Sequence, residues 1–237
     1  MKKDRYFYSI VSFVMLVLTV LGFKKFLLRG VEADDAPIAP AIETLVLVHG
    51  TALLLWIVTF FVQSVLIAVK NRKLHMTLGW AGVAVALLAV VTSPVLASSA
   101  IRLRPAEQLF DMTYPQFLLV MYTEVLAFAV FVALAVAYRK KPAVHRSMVV
   151  LATLAVISGS TSRIDPLFNA FGGHGWSGLF GMPLFLGALI LIARIIVDRR
   201  FNAPLAAGYA ALGAAYIIAF SVATGPWWTT TVARLAK

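Results

Sequence analysis

Long apolar blocks alternate with short polar connections along the whole chain. The blocks cover roughly 6–23, 42–69, 76–100, 115–138, 146–163, 177–197 and 204–224. Several exceed the ~18–20 residues needed to cross a hydrocarbon core. None shows the ten-residue alternation of a barrel strand, and an open strand cannot satisfy its backbone in lipid, so the blocks must be helices. The pattern predicts an all-α, polytopic membrane protein: one domain over residues 1–237, a bundle of seven transmembrane helices, with the second to fifth as its core. The first block follows Met1-Lys2-Lys3-Asp4-Arg5, as a signal peptide would. It ends in Gly22-Phe23-Lys24-Lys25 rather than a small-x-small cleavage site, which predicts a retained first span.

The second block, "VLVHGTALLLWIVTFFVQSVLIAV", interrupts its apolar run with His49, Trp56 and Gln63. Steps of seven are nearly two helical turns, so all three share one face, over roughly 21 Å of helix. Polar atoms turned to lipid would have no partner, so the face must look into the bundle. Glu124, well inside the fourth block in "MYTEVLAF", points the same way. The second and fourth helices run in one direction, which brings His49 and Glu124 to similar depth in the outer half. Arg163 and Asp165 close the fifth block on that side, and His174 follows in "FGGHGW". These residues are expected to share one polar site, with His49, Glu124 and His174 as the candidate metal ligands. An internal network that only fixes helix packing is the plainer alternative.

Composition agrees: 61% of the 237 residues are hydrophobic, against ~45–50% apolar in soluble domains. There is no cysteine, which removes disulfides, thiolate metal sites, cysteine nucleophiles and covalent haem attachment. The net charge of +11 comes from asymmetric loops. With the N-terminus inside, one side holds Lys2, Lys3, Arg5, Lys70, Arg72, Lys73, Arg139, Lys140, Lys141, Arg146, Arg199 and Arg200 against Asp4 and Asp198. The other side, which includes Arg102, Arg104, Arg234 and Lys237, nearly balances, with eight bases and seven acids. The bias predicts a cytoplasmic N-terminus and an outside C-terminus. It makes the basic excess an anchor to anionic lipid heads rather than a nucleic-acid surface. Lys24-Lys25, just outside the first helix, runs against the rule.

Two more histidines open helices. "RKLHMTLGW" starts the third block with His75, and "KKPAVHRSM" starts the fifth with His145. Imidazoles on neighbouring helices can hold haem iron axially, with Arg72, Lys73, Arg139 and Arg146 meeting the propionates. The alternative is a pair of interfacial histidines in basic motifs that bind lipid phosphates. There is no Gly-rich phosphate loop, no H-E-x-x-H, and no lysine in 204–224 of the kind a retinal protein needs. Ala206, Ala210 and Ala214 form a small-residue stripe that lets helix backbones approach within the bundle.

His49 with Trp56 and Gln63, His75-x-x-x-Gly79-Trp80, Glu124, Pro142-x-x-His145-Arg146 and Arg163 together resemble a widespread group of uncharacterised bacterial multi-pass membrane proteins. The likeness covers about residues 45–165 and departs in having Glu124 where that group has Asp. It implies a shared fold and site in the bacterial plasma (inner) membrane, and no activity. A weaker similarity is to membrane b-type cytochromes, which pair histidines across a four-helix core and imply haem b. The spacings here, 26, 70 and 29 along His49, His75, His145 and His174, are less regular. The leading expectation is an intramembrane site for a small ligand or redox cofactor, haem or quinone, built on His49, Glu124, Trp56, Gln63, His75, His145 and Arg163. Two alternatives stand beside it. One is proton-coupled transport of a small solute through Glu124 and His49, helped by breaks at Pro94 and Gly181-x-Pro183. The other is a non-catalytic assembly subunit.

Overall fold

The computed structural model describes residues 5–103 and 107–235. Lys2, Lys3, Asp4, Arg104 and Lys237 of the charge count lie outside them. In chain order the elements are α1 (Phe7–Gly22), α2 (Lys24–Arg29), α3 (Glu43–Ala68), α4 (Arg72–Leu103), β1 (Gln108–Leu109), β2 (Met112–Thr113), α5 (Tyr114–Ala137), α6 (Pro142–Val156), α7 (Ser158–Thr161), α8 (Asp165–Ala170), α9 (Gly175–Asp198), α10 (Ala203–Thr224) and α11 (Pro226–Leu235). Every apolar block is a helix within a few residues of its expected bounds, save the fifth, which breaks at Ile157 into α6 and α7.

Five helices, α3, α4, α5, α9 and α10, are long and apolar enough to cross a membrane. The other two apolar helices, α1 and α6, have 16 and 15 residues and are shorter than a full span. The outer surface carries large apolar side chains in the open: Ile10, Leu87, Leu126, Ile192, Ile196 and Ile218 are each more than 50% exposed. Soluble proteins rarely leave so much apolar area uncovered. A multi-pass membrane protein is the architecture these helices describe.

Local chemistry sets the helix ends. Thr113 and Gln116 make a capping box at the start of α5, with Pro115 in its first turn. Asn202 accepts from the Leu205 amide at the start of α10. Lys70 turns the chain between α3 and α4 at φ 65°, and the Asn71 side chain accepts from the Leu74 amide.

Short α6 is the most enclosed helix. Ser147, Met148 and Val150 to Ala155 are all buried, and α5, α9 and α10 pack around them. Trp56 lies edge-on to Phe128 at 5.0 Å, while Phe180 stacks on Tyr216 at 3.9 Å. The Tyr216 hydroxyl donates to the Leu154 carbonyl at 3.2 Å, so α10 is tied to α6 by a polar bond inside an apolar core.

At one end α1 closes onto α7. A Cβ at Gly22 would run into the backbone of Ser160, so only hydrogen fits there. At the same end, Lys25 and Arg29 of α2 both clasp Asp35 in the following loop. The hydrogen bond from Lys25, with the charge of Arg29, holds the Asp35 carboxyl below its ordinary value.

Gly22→Val is expected to lower the midpoint of thermal unfolding in detergent, with a cost on the order of 1–3 kcal/mol for overpacking. Gly79→Ala, where a Cβ meets nothing within 4 Å, is expected to leave it unchanged. A depressed carboxyl loses its stabilising contribution as pH falls through the folded-state value. The loop around Asp35 should therefore stay ordered down through the usual aspartate range and loosen only below it. Amide exchange of residues 24–37 against pH checks this.

Candidate functional site

The α3 stripe is divided among three neighbours. His49 Nδ1 is 2.9 Å from Thr92 Oγ1 on α4. Thr92 Oγ1 also lies 2.7 Å from the Leu88 carbonyl, to which it donates. It can therefore accept from His49, which puts the proton on Nδ1. Trp56 Nε1 donates to Thr153 Oγ1 on α6 at 3.2 Å. Gln63 differs: both atoms of its amide are buried and neither has a hydrogen-bond partner.

Glu124 takes its own partner. Ser158 Oγ, at the start of α7, donates to Glu124 Oε1. Among the described residues no hydrogen bond or ion pair joins His49 to Glu124. Arg163 donates to the Gly159 carbonyl, and its guanidinium sits 4.9 Å from the centre of the Phe23 ring. It reaches Glu124 only as a neighbouring charge. His174 Nδ1 is 3.4 Å from Asp111 Oδ2 in the turn of the β1–β2 hairpin, and both side chains are strongly exposed. Asp165 opens α8 in its first turn. Among the described residues no three His, Asp or Glu are grouped to hold a metal ion. Of the expected ligand set, His49 and Glu124 bond to hydroxyls within the bundle and His174 faces a surface carboxylate.

The other end of the bundle, where α1 begins, holds the second cluster. His75 and His145 open α4 and α6, and their ring centres are 6.4 Å apart with planes at 89°. His145 Nδ1 is 2.8 Å from the Ala135 carbonyl of α5. A carbonyl only accepts, so Nδ1 carries the proton and Nε2 keeps its lone pair. His75 has the matching neighbour, the backbone of Gln63 on α3, while its Nδ1 is buried without a partner. The His145 imidazole is thus steadied by the last turn of α5. Two antiparallel hairpins, α3–α4 and α5–α6, bring the rings face to edge. Close by, Arg146 lies 5.3 Å over Tyr8 and donates to the Pro142 carbonyl. Arg194 lies 5.1 Å over Phe7 and Tyr8 and pairs with Asp198. Arg5 donates to the Ala68 carbonyl at the end of α3.

The expected common site therefore separates into two places. Gln63, grouped by spacing with His49, lies with His75 instead. The hydroxyls not anticipated are Thr92 and Thr153, each the partner of a larger polar group. Their signal in the sequence was a hydroxyl inside an apolar run, as at Thr153 in "LATLAV". Ser158, at the outer end of the fifth block where a bond to backbone or to a neighbouring helix is expected, bonds Glu124 of α5.

The arrangement has chemical meaning. With metal–nitrogen bonds of ~2.0–2.1 Å and a ring radius of ~1.1 Å, imidazoles on opposite sides of one metal have centres about 6.3 Å apart. The observed separation of 6.4 Å is close to that value, but the rings meet face to edge, so one must turn before both can point a nitrogen at the same metal. A hydrogen bond from the far ring nitrogen to a carbonyl, as at His145, is the usual way a ligating histidine is oriented. Comparisons with models of protein families, with curated proteins and with solved structures found no match. The resemblance set out above rests on the residues quoted for it.

Replacing Glu124 by Gln keeps an acceptor for Ser158 and is expected to leave the unfolding midpoint close to that of the parent. Glu124→Leu removes the acceptor from a hydroxyl that is 1% exposed and is expected to cost about 1–3 kcal/mol. Thermal melts of the two variants in one detergent separate these outcomes.

Proposed function

We propose that this chain is a seven-span protein of the bacterial inner membrane, N-terminus inside, whose His75–His145 pair holds a metal-centred redox cofactor. Haem b is the first candidate. The observation that carries the reading is the pair itself: two imidazoles 6.4 Å apart on separate helices, one with its Nδ1 proton committed to a carbonyl. The residue whose backbone neighbours His75, Gln63, also has a buried side-chain amide without a hydrogen-bond partner among the described residues. Burying such an amide without a bond costs a few kcal/mol, and a bound ligand would offset it.

Two imidazoles with basic residues near by are the donor set that haem would use. His75 and His145 would hold the iron through ring nitrogens, and Arg72, Lys73, Arg139 and Arg146, in the same two helix-start regions, would meet its carboxylates. Haem held this way would supply one-electron transfer. The protein's part is to fix both rings, exclude lipid from the iron and balance the propionate charge. α1 and α6 would cross as the two shorter spans, α6 lengthened by α7. The basic connections Lys70–Lys73 and Arg139–Lys141 would then face the cytoplasm.

The transport reading needs Glu124 and His49 to exchange protons along a path. Each is instead bonded to a hydroxyl on a neighbouring helix, so that reading has less support. The same bonds suit a packing role for both residues.

Protein expressed with ample haem and gently solubilised is expected to show a Soret band of low-spin, bis-imidazole type. His75→Ala and His145→Ala should each abolish it, and His174→Ala should not. Colourless parent protein without bound iron overturns the proposal.

A further inference from the structure

An apolar groove of about 660 Å³ opens on the surface between α5, α6 and α10. Val130, Phe131 and Leu134 form one wall, and Ala207, Gly208 and Ala211 form the other. The small residues make the groove. At Gly208 a Cβ would run into the Leu151 side chain of α6, so the α10 backbone lies unusually close to α6. Ala207 and Ala211, without bulk, leave the space beside it open. The groove runs from Thr123 to Lys141, roughly 23 Å along α5 at 1.5 Å per residue up to Tyr138. That is the length of one acyl chain.

Its chemistry changes at one end. There Tyr138 and Lys141 line the mouth, and the Lys141 ammonium sits 5.3 Å from the centre of the Tyr138 ring. Arg139 and Lys140, both exposed, are adjacent in the chain. An apolar trough ending in three consecutive cations is complementary to a molecule with a long hydrocarbon tail and an anionic head.

We propose that this groove binds one anionic phospholipid, its acyl chain against Ala207, Gly208 and Ala211 and its phosphate on Lys141. The cations at the mouth favour a phosphate over the neutral head of a quinone, which has no charge for them to meet. The inference does not depend on a cofactor at His75 and His145: of the mouth's cations only Arg139 is shared with that reading, and the groove is lined by Lys141.

Purified protein, delipidated in detergent, would be exchanged into mixed micelles with equal phosphatidylglycerol and phosphatidylcholine and examined by native mass spectrometry. The parent is expected to retain one phosphatidylglycerol in several-fold preference. Lys141→Glu should remove the preference at the head, and Ala211→Phe should lower retention of either lipid by filling the trough. Both positions are exposed, and an unchanged helical circular dichroism spectrum would show that the fold is kept. Equal retention of the two lipids by the parent overturns the proposal. So does unchanged retention in a folded Ala211→Phe variant, or a quinone as the tightly held molecule in organic extracts.

Discussion

Inside a bilayer a polar side chain has only other parts of the protein to bond with, and that requirement organises this bundle. Its apolar contacts are interchangeable with lipid contacts, so they do little to choose one helix arrangement over another. The polar bonds choose. His49 to Thr92 fixes α3 against α4, Trp56 to Thr153 fixes α3 against α6, Glu124 to Ser158 fixes α5 against α7, and Tyr216 to Leu154 fixes α10 against α6. Each crosses between helices that hydrophobicity alone would leave free to slide. At Gln63 and His75, as at Ser9 and Trp176, buried polar atoms are left without a hydrogen-bond partner among the described residues.

The same rule accounts for α6. It is short, buried on nearly every side and carries Ser147 and Thr153 in its interior. A helix enclosed by others need not match the bilayer thickness, because its neighbours meet the lipid. The break at Ile157 lets α7 bring Ser158 to Glu124 and Ser160 against Gly22. A straight continuation of α6 would not place both contacts.

Much of the fold was legible in the apolar periodicity. Six blocks became helices within a few residues of their expected limits, because in lipid length and hydropathy leave the backbone one choice. What the pattern missed lay outside the apolar blocks: α2, the hairpin from Gln108 to Thr113, α8 and α11, set by turns and caps rather than by hydrophobicity. The break inside the fifth block was missed because "VISGST" continues without a proline. The site was legible only by residue type. Spacing correctly put His49, Trp56 and Gln63 on one inward face, but an inward face meets several neighbours. Spacing along one helix says nothing of which neighbour each residue meets. Gln63 went to His75 because α3 and α4 are joined by only a few residues, and a tight hairpin forces the end of one helix onto the start of the next. The same geometry carries Ala135 to His145.

The central claim is that His75 and His145 are ligands to one metal-centred cofactor, and electron paramagnetic resonance of the oxidised, purified protein tests it most directly. Two imidazoles on one iron would give a low-spin ferric signal, lost in His75→Ala and in His145→Ala. A high-spin ferric signal, or no iron at all in protein made with haem in excess, would contradict it.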